Sequence, residues 1–176
     1  MIEFVQNHSD SIIGILGTLL GVVVGAIINQ VSRSGKLKIF PKNVHIDILK
    51  QDGYGASKVQ DKVDFDTSSV SISFSLDIHN SSSEQKNGRD IFLVIRKDGQ
   101  EIKSNIKDLS TLQYTNHLLH TDQFENFNIP AKTVDSLKLR SFLEKDNYSW
   151  IEDSTLYFEF RDSKNRLRRI KLKTNK

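Results

Sequence analysis

Between Asp10 and Arg33 the chain carries no charge, and residues 11–28 (SIIGILGTLLGVVVGAII) are almost wholly apolar. As a helix those eighteen residues would span roughly 27 Å, about the thickness of a bilayer's hydrocarbon core. The run is apolar on every side, whereas a helix packed on a soluble core shows a polar face. The first ten residues hold Glu3 and Asp10 and no Lys or Arg, and no A-x-A pattern follows the run, so a cleaved leader is not indicated. A transmembrane helix over 11–31 is expected, after a short tail at 1–10.

Beyond it the period changes from helical to two. Val44, Ile46 and Ile48 alternate with His45, Asp47 and Leu49, which predicts a strand. Residues 36–40 alternate basic and apolar until Pro41, read as the end of that run. Residues 50–62, with Gly53 and Gly55, read as a loop. Val70, Ile72, Phe74, Leu76 and Ile78 interleave with Ser71, Ser73, Ser75 and Asp77, so one face is core and the other wet. Asn80 to Asp90, containing Asn87-Gly88, reads as a polar turn. Ile91–Ile95 reads as a central strand, and Asp98-Gly99 as a hairpin turn into 100–104. Residues 105–123 fit a short helix or loop equally. Val134, Leu137 and Leu139 mark another strand, and Trp150 caps the core. Leu156–Asp162, a turn at 162–165 and Leu167–Leu172 make a closing hairpin. Leu167 is out of phase with Ile170 and Leu172, which predicts a bulge at Arg168-Arg169.

Seven or eight short strands with little helix predict an all-β fold, an antiparallel β-sandwich over 43–176 preceded by one transmembrane α-helix. The stretch Phe74–Asn80, a polar loop, then Arg89–Ile95 resembles the strand, Asn, turn, strand pattern of bacterial immunoglobulin-like domains. Leu156–Asp162 followed by Asn165–Arg169 is similar to their closing Asp-x-x-Gly-Arg hairpin, with Asn165 where Gly is usual, a change that left-handed backbone tolerates in Asn. The layout resembles uncharacterised bacterial single-pass membrane proteins carrying such a domain. That resemblance implies an immunoglobulin-like fold and says nothing of function.

Charge adds a direction. The net charge of +3 conceals a basic segment at 32–42 (Arg33, Lys36, Lys38 and Lys42) and a basic C-terminal run (Arg161, Lys164, Arg166, Arg168, Arg169, Lys171, Lys173 and Lys176) around an acidic body. With acids before the helix and bases after it, the positive-inside rule puts the N-terminus outside and the domain in the cytoplasm. Arg33, Lys36, Lys38, Arg166, Arg168, Arg169, Lys171 and Lys173 are candidates to face lipid or other phosphates. The C-terminal run reads first as a charged edge strand that resists sheet-to-sheet pairing, then as a phosphate-facing surface, and last as a surface for the acidic body of a second copy. Aromatic residues do not interleave with it, which argues against nucleic acid.

Gly17, Gly21 and Gly25, with Gly14 one step earlier, form a stripe suited to close helix association. Candidate chemistry is sparse. The chain has no cysteine. His117, His120 and Asp122 have metal-like spacing without a fourth ligand. Asp61, Asp64 and Asp66 form an acidic group, the latter two on one strand face, without a calcium-loop pattern. Phosphate-loop, dinucleotide and nucleophile-elbow motifs are missing. No metal, cofactor or enzymatic activity is expected. Two functions remain: a membrane-anchored module that binds a protein partner through its sandwich, or a homo-oligomeric membrane effector of toxin or phage-defence type assembled by the glycine stripe. An inverted topology, with the sandwich as an extracellular domain, is the weaker third.

Overall fold

The computed structural model describes residues 9–33, 35–51, 57–115 and 118–172. Helix α1 (Ser9–Arg33) is followed, after three intervening residues, by β1 (Leu37–Gln51). Then come β2 (Ser57–Gln60), β3 (Thr67–Asn80), β4 (Lys86–Lys97), β5 (Gln100–Ser104), β6 (Ile106–Asp108), β7 (Gln113–Thr115) and β8 (Leu118–His120). The chain closes with β9 (Asn126–Ile129), β10 (Val134–Phe142), a 3₁₀ helix (Lys145–Ile151), β11 (Thr155–Asp162) and β12 (Leu167–Lys171). All pairings are antiparallel. One sheet runs β2-β1-β3-β10-β6 and the other β12-β11-β4-β5, with β9 also beside β4.

The two sheets share one core. Val70, Ile72, Phe74, Leu76 and Ile78 of β3 are buried against Leu156, Phe158 and Phe160 of β11 and Ile91, Leu93 and Ile95 of β4. Phe74 and Phe158 meet edge to face across the sheets, 6.2 Å between ring centres, a geometry aromatic rings prefer. Trp150 packs on the rim of this cluster.

Several local readings change. Pro41 does not end a run: β1 continues through it to Gln51, with a register shift between Lys42 and His45 and Asn43 at φ 51°. Among the described residues the one partner of β1 beside Pro41 is β3, since β2 joins at Ile48–Gln51, so the ring sits where no second ladder needs its missing N–H. β1 therefore starts at Leu37, inside the basic segment 32–42. Part of the loop read at 50–62 is β2, a four-residue edge strand; Gly53 and Gly55 lie outside the described residues.

Asn87-Gly88 is no turn. Both lie in β4, where Gly88 pairs with Phe127 of β9 and the Phe127 ring covers it; a methyl at Gly88 would overlap that ring. The bulge expected at Arg168-Arg169 is absent. β11 and β12 keep register from Tyr157↔Lys171 to Arg161↔Leu167, and the shift lies on the other side of β11, between Glu159 and Arg161 against β4. Leu167 falls out of phase because it shares the outer face with Arg169, half exposed. Asp98-Gly99 is the expected hairpin turn, with φ 50° and 80°. Residues 105–123 hold a short 3₁₀ turn at Leu109–Thr111 and the β7–β8 pair rather than an α-helix.

Candidate functional site: a basic groove where helix and sandwich join

The helix meets the sandwich through a fastened joint. Arg33, the last residue of α1, pairs with Glu84 in the β3–β4 loop at 2.9 Å. Gly35 lies so close to Ser81 and Ser82 that a Cβ there would collide with their backbone. The Lys36 amide donates to Ser81 Oγ at 2.9 Å, and the Lys36 carbonyl accepts from the Ser81 amide and hydroxyl. Behind this loop stands Asn80, almost fully buried. Its Nδ2 donates to the carbonyls of Glu84, Ile129 and Pro130, and its Oδ1 accepts from the Ser82 amide and hydroxyl. The Asn of the immunoglobulin-like pattern is thus the residue that ties the loop under the helix to the β9–β10 connection.

Beside the joint, the start of β1, the start of β4 and the β11–β12 hairpin enclose a groove of about 590 Å³. Its walls carry Arg33, Lys36, Lys86, Lys164, Arg166 and Arg168, and among the described residues Asp162 is their one carboxylate. Leu37, Ile39 and Ile170 contribute apolar surface. The hairpin arises from its turn: Asn165 holds φ 58° and its amide donates to the Asp162 carbonyl at 2.8 Å. Asp162 Oδ1 accepts from the amides of Lys164 and Arg166, and Oδ2 from Nε of Arg166 and of Arg168. Partial burial works against its charge. The amides of Arg166 and Lys164 and the two guanidinium groups outweigh it and hold the carboxyl at about 2. Asp162 therefore stays ionised.

The basic candidates divide accordingly. Arg33 and Lys36 are at the joint, and Arg166 and Arg168 are in the groove on Asp162. Lys38 lies exposed on β1 opposite His79, and Lys171 exposed on β12 opposite Tyr157. Lys173 lies outside the described residues. Arg169 points to the outer face of the second sheet and makes two parallel hydrogen bonds to Glu101, at 2.8 and 2.9 Å. It also reaches Glu159 at 2.6 Å. Lys103 closes on the same carboxylate at 2.5 Å, and Glu159 is only 1% exposed. Burial pushes the Glu159 carboxyl up, and the hydrogen bonds from Lys103 and Arg169 bring it net below the usual range. β12 is an edge strand, so its charges sit where a free ladder would otherwise be offered.

Sequence reasoning did not find Lys86 as part of the groove, nor the network of Glu101, Lys103, Glu159 and Arg169. The members of each come from separate strands, and only register brings them together.

The other candidates look as follows. Gly17, Gly21 and Gly25 share an uncovered face, and Thr18 Oγ1 donates back to the Gly14 carbonyl at 2.8 Å. His120 and Asp122 are exposed, 3.6 Å apart, while His117 lies outside the described residues. Asp64 and Asp66 do not share a strand face. They form the turn into β3, where Asp64 Oδ1 accepts from the Asp66 amide and the Thr67 hydroxyl. Lys50 lies against both carboxylates, at 3.7 and 2.5 Å.

Comparison with known proteins bears on the sandwich. Residues 35–173 match the model of a family described as the YopI Ig-like domain. A crystal structure of an uncharacterized β-sandwich protein from Clostridium difficile 630 is similar over 78% of this chain and 86% of that chain, at 14% identity and a TM-score of 0.38. No curated protein matches the chain.

Proposed function

The chain belongs to the YopI Ig-like domain family, which covers residues 35–173, and from that premise we propose that it is a membrane-anchored, non-enzymatic module that binds a protein partner through its sandwich. One observation carries the reading. Ile13–Val31 form a helix long and apolar enough to cross a membrane, none of it covered by the rest of the structure, and it passes within three residues into a sandwich fastened to its end. A bilayer is the environment that removes that much apolar surface from water. The positive flank of Arg33, Lys36, Lys38 and Lys42 favours a cytoplasmic sandwich and an external tail.

The chain lacks cysteine, so single-cysteine mapping is direct. In intact host cells a membrane-impermeant maleimide should label Asn7→Cys and spare Ser149→Cys. The opposite labelling would invert the topology, and recovery in the soluble fraction would remove the anchor. A photo-crosslinker on the exposed sandwich surface should yield a discrete protein adduct; its absence at every site tried would sink the binding module.

A second reading, the homo-oligomeric effector, draws support from the helix face itself. With Thr18 bonded back to Gly14, the side of Gly17, Gly21 and Gly25 presents no unmet donor and no side chain beyond Cα, which allows close backbone approach. Gly21→Ile should abolish oligomers in detergent and any toxicity on overexpression. Unchanged oligomer size rejects this reading and leaves the module untouched.

A further inference from the structure

We propose that the basic groove at the joint binds the phosphate headgroup of an anionic phospholipid from the membrane that α1 spans. The proposal rests on the anchored reading above and adds a ligand to it.

Position comes first. Arg33 ends α1, and Lys36, three residues on, lines the same groove. Three extended residues reach at most about 10 Å. The headgroup layer beyond the hydrocarbon core is itself several Å deep, about 5–8 Å on each side. A helix seated across the bilayer therefore delivers the groove mouth to the phosphates. The joint to Ser81, Ser82 and Glu84 holds it there.

Charge comes second. Six cations from the helix end, the link, β4 and the β11–β12 hairpin face one carboxylate, Asp162, already matched by Arg166 and Arg168. Arg33 and Lys86 share Glu84, at 2.9 and 3.9 Å. Lys36 and Lys164 make no ion pair among the described residues. The groove thus holds uncompensated positive charge, which a phosphodiester supplies the counterpart for.

The third argument separates lipid from a free anion. Leu37, Ile39 and Ile170 give the groove an apolar wall beside its cationic rim. A small inorganic anion gains nothing from that wall, whereas the glycerol and first acyl carbons of a lipid do. The volume, about 590 Å³, suits a headgroup with its glycerol.

The test uses the full chain in nanodiscs of phosphatidylcholine with a minority of phosphatidylglycerol, and native mass spectrometry of the lipids it retains. Wild type should retain phosphatidylglycerol well above its share in the disc. Lys36→Gln with Lys164→Gln should lower that enrichment by about fivefold per lysine, about 25-fold together. Lys138→Gln with Lys145→Gln, which removes equal charge outside the groove, should leave it unchanged. Equal loss in both double variants would reduce the effect to general surface charge and overturn the site. Incorporation without enrichment would overturn the lipid proposal while leaving the anchor standing. Failure to incorporate into any disc would overturn both. A titration of the detergent-held chain with inorganic phosphate is the last arm. Little displacement of phosphatidylglycerol at millimolar phosphate is expected, and full displacement would mark the groove as a free-anion site instead.

Discussion

Asp162→Asn should destabilise the sandwich by an amount that depends on pH in a calculable way. Asp162 Oδ1 accepts from two amides and Oδ2 from two guanidinium groups, with the side chain 15% exposed. Its carboxyl is lowered from 3.8 to about 2. A shift of that size corresponds to about 2 kcal/mol of stability near neutral pH. Because the folded value lies below the unfolded one, this stability is fully present above about pH 4 and fades as pH falls through about 2. The gap between wild type and variant should shrink to roughly half by pH 3 and be mostly gone by pH 2. Other carboxylates titrate in both proteins and cancel in the difference.

Trp150 is the only tryptophan and sits at the core rim, so its fluorescence reports the sandwich and not the helix. Urea unfolding of the full chain in detergent, at m of about 2 kcal/mol/M, should show a midpoint about 1 M lower for the variant at pH 7. A gap that stays constant from pH 7 to 2.5, or a shift under about 0.3 M at pH 7, would refute the reasoning: the four hydrogen bonds would then not be preferring the ionised form.

Three further outcomes follow from the same geometry. Glu159→Gln removes the charge shared by Lys103 and Arg169; since both cations keep access to water, the cost should be about 2 kcal/mol, measured by the same unfolding and checked by a double-mutant cycle with Lys103→Met. The lowered carboxyl of Glu159 places that contribution above its unfolded pKa and removes it as acid protonates the group. Asn80→Ala strips a donor from three carbonyls and an acceptor from buried Ser82, so a loss of about 3 kcal/mol is expected, with hydrogen exchange rising first in the β3–β4 loop. Gly88→Ala pushes a methyl into the Phe127 ring and should cost about 1–3 kcal/mol, of which Phe127→Leu in the same chain recovers part; a loss that Phe127→Leu only deepens would mean the ring is not what Gly88 accommodates.

The alternation in 70–78 announced β3 because every second residue meets the core, and that pattern survives without knowledge of any partner. Ile91–Ile95 and the Asp98-Gly99 turn were legible for equally local reasons. Asn87-Gly88 misled because the glycine's small size serves a neighbouring ring, not a reversal of direction. Pro41 misled because its tolerance depends on which side of β1 is paired. The misplaced bulge has the same root: apolar Leu167 faces outward beside Arg169, so no extra residue is needed to bring it into phase. The basic character of the candidate groove was visible in the residue types of 33–42 and 161–176. Its shape was not, since it needs Lys86 from β4 and the loop that brings Glu84 under Arg33.

The joint between α1 and β1 fixes an angle as well as a distance. With Arg33 held by Glu84 and Gly35 seated on Ser82, turning the helix about its long axis turns the sandwich by the same amount. Each residue of helix advances about 100° of rotation. The bearing of the Gly17, Gly21 and Gly25 side is thereby geared to the bearing of the β-sheets. Two helices meeting along that side would present their sandwiches at one predetermined azimuth. Adding a single alanine before Arg33 would swing them more than a quarter turn out of phase, so residue count here sets a compass heading.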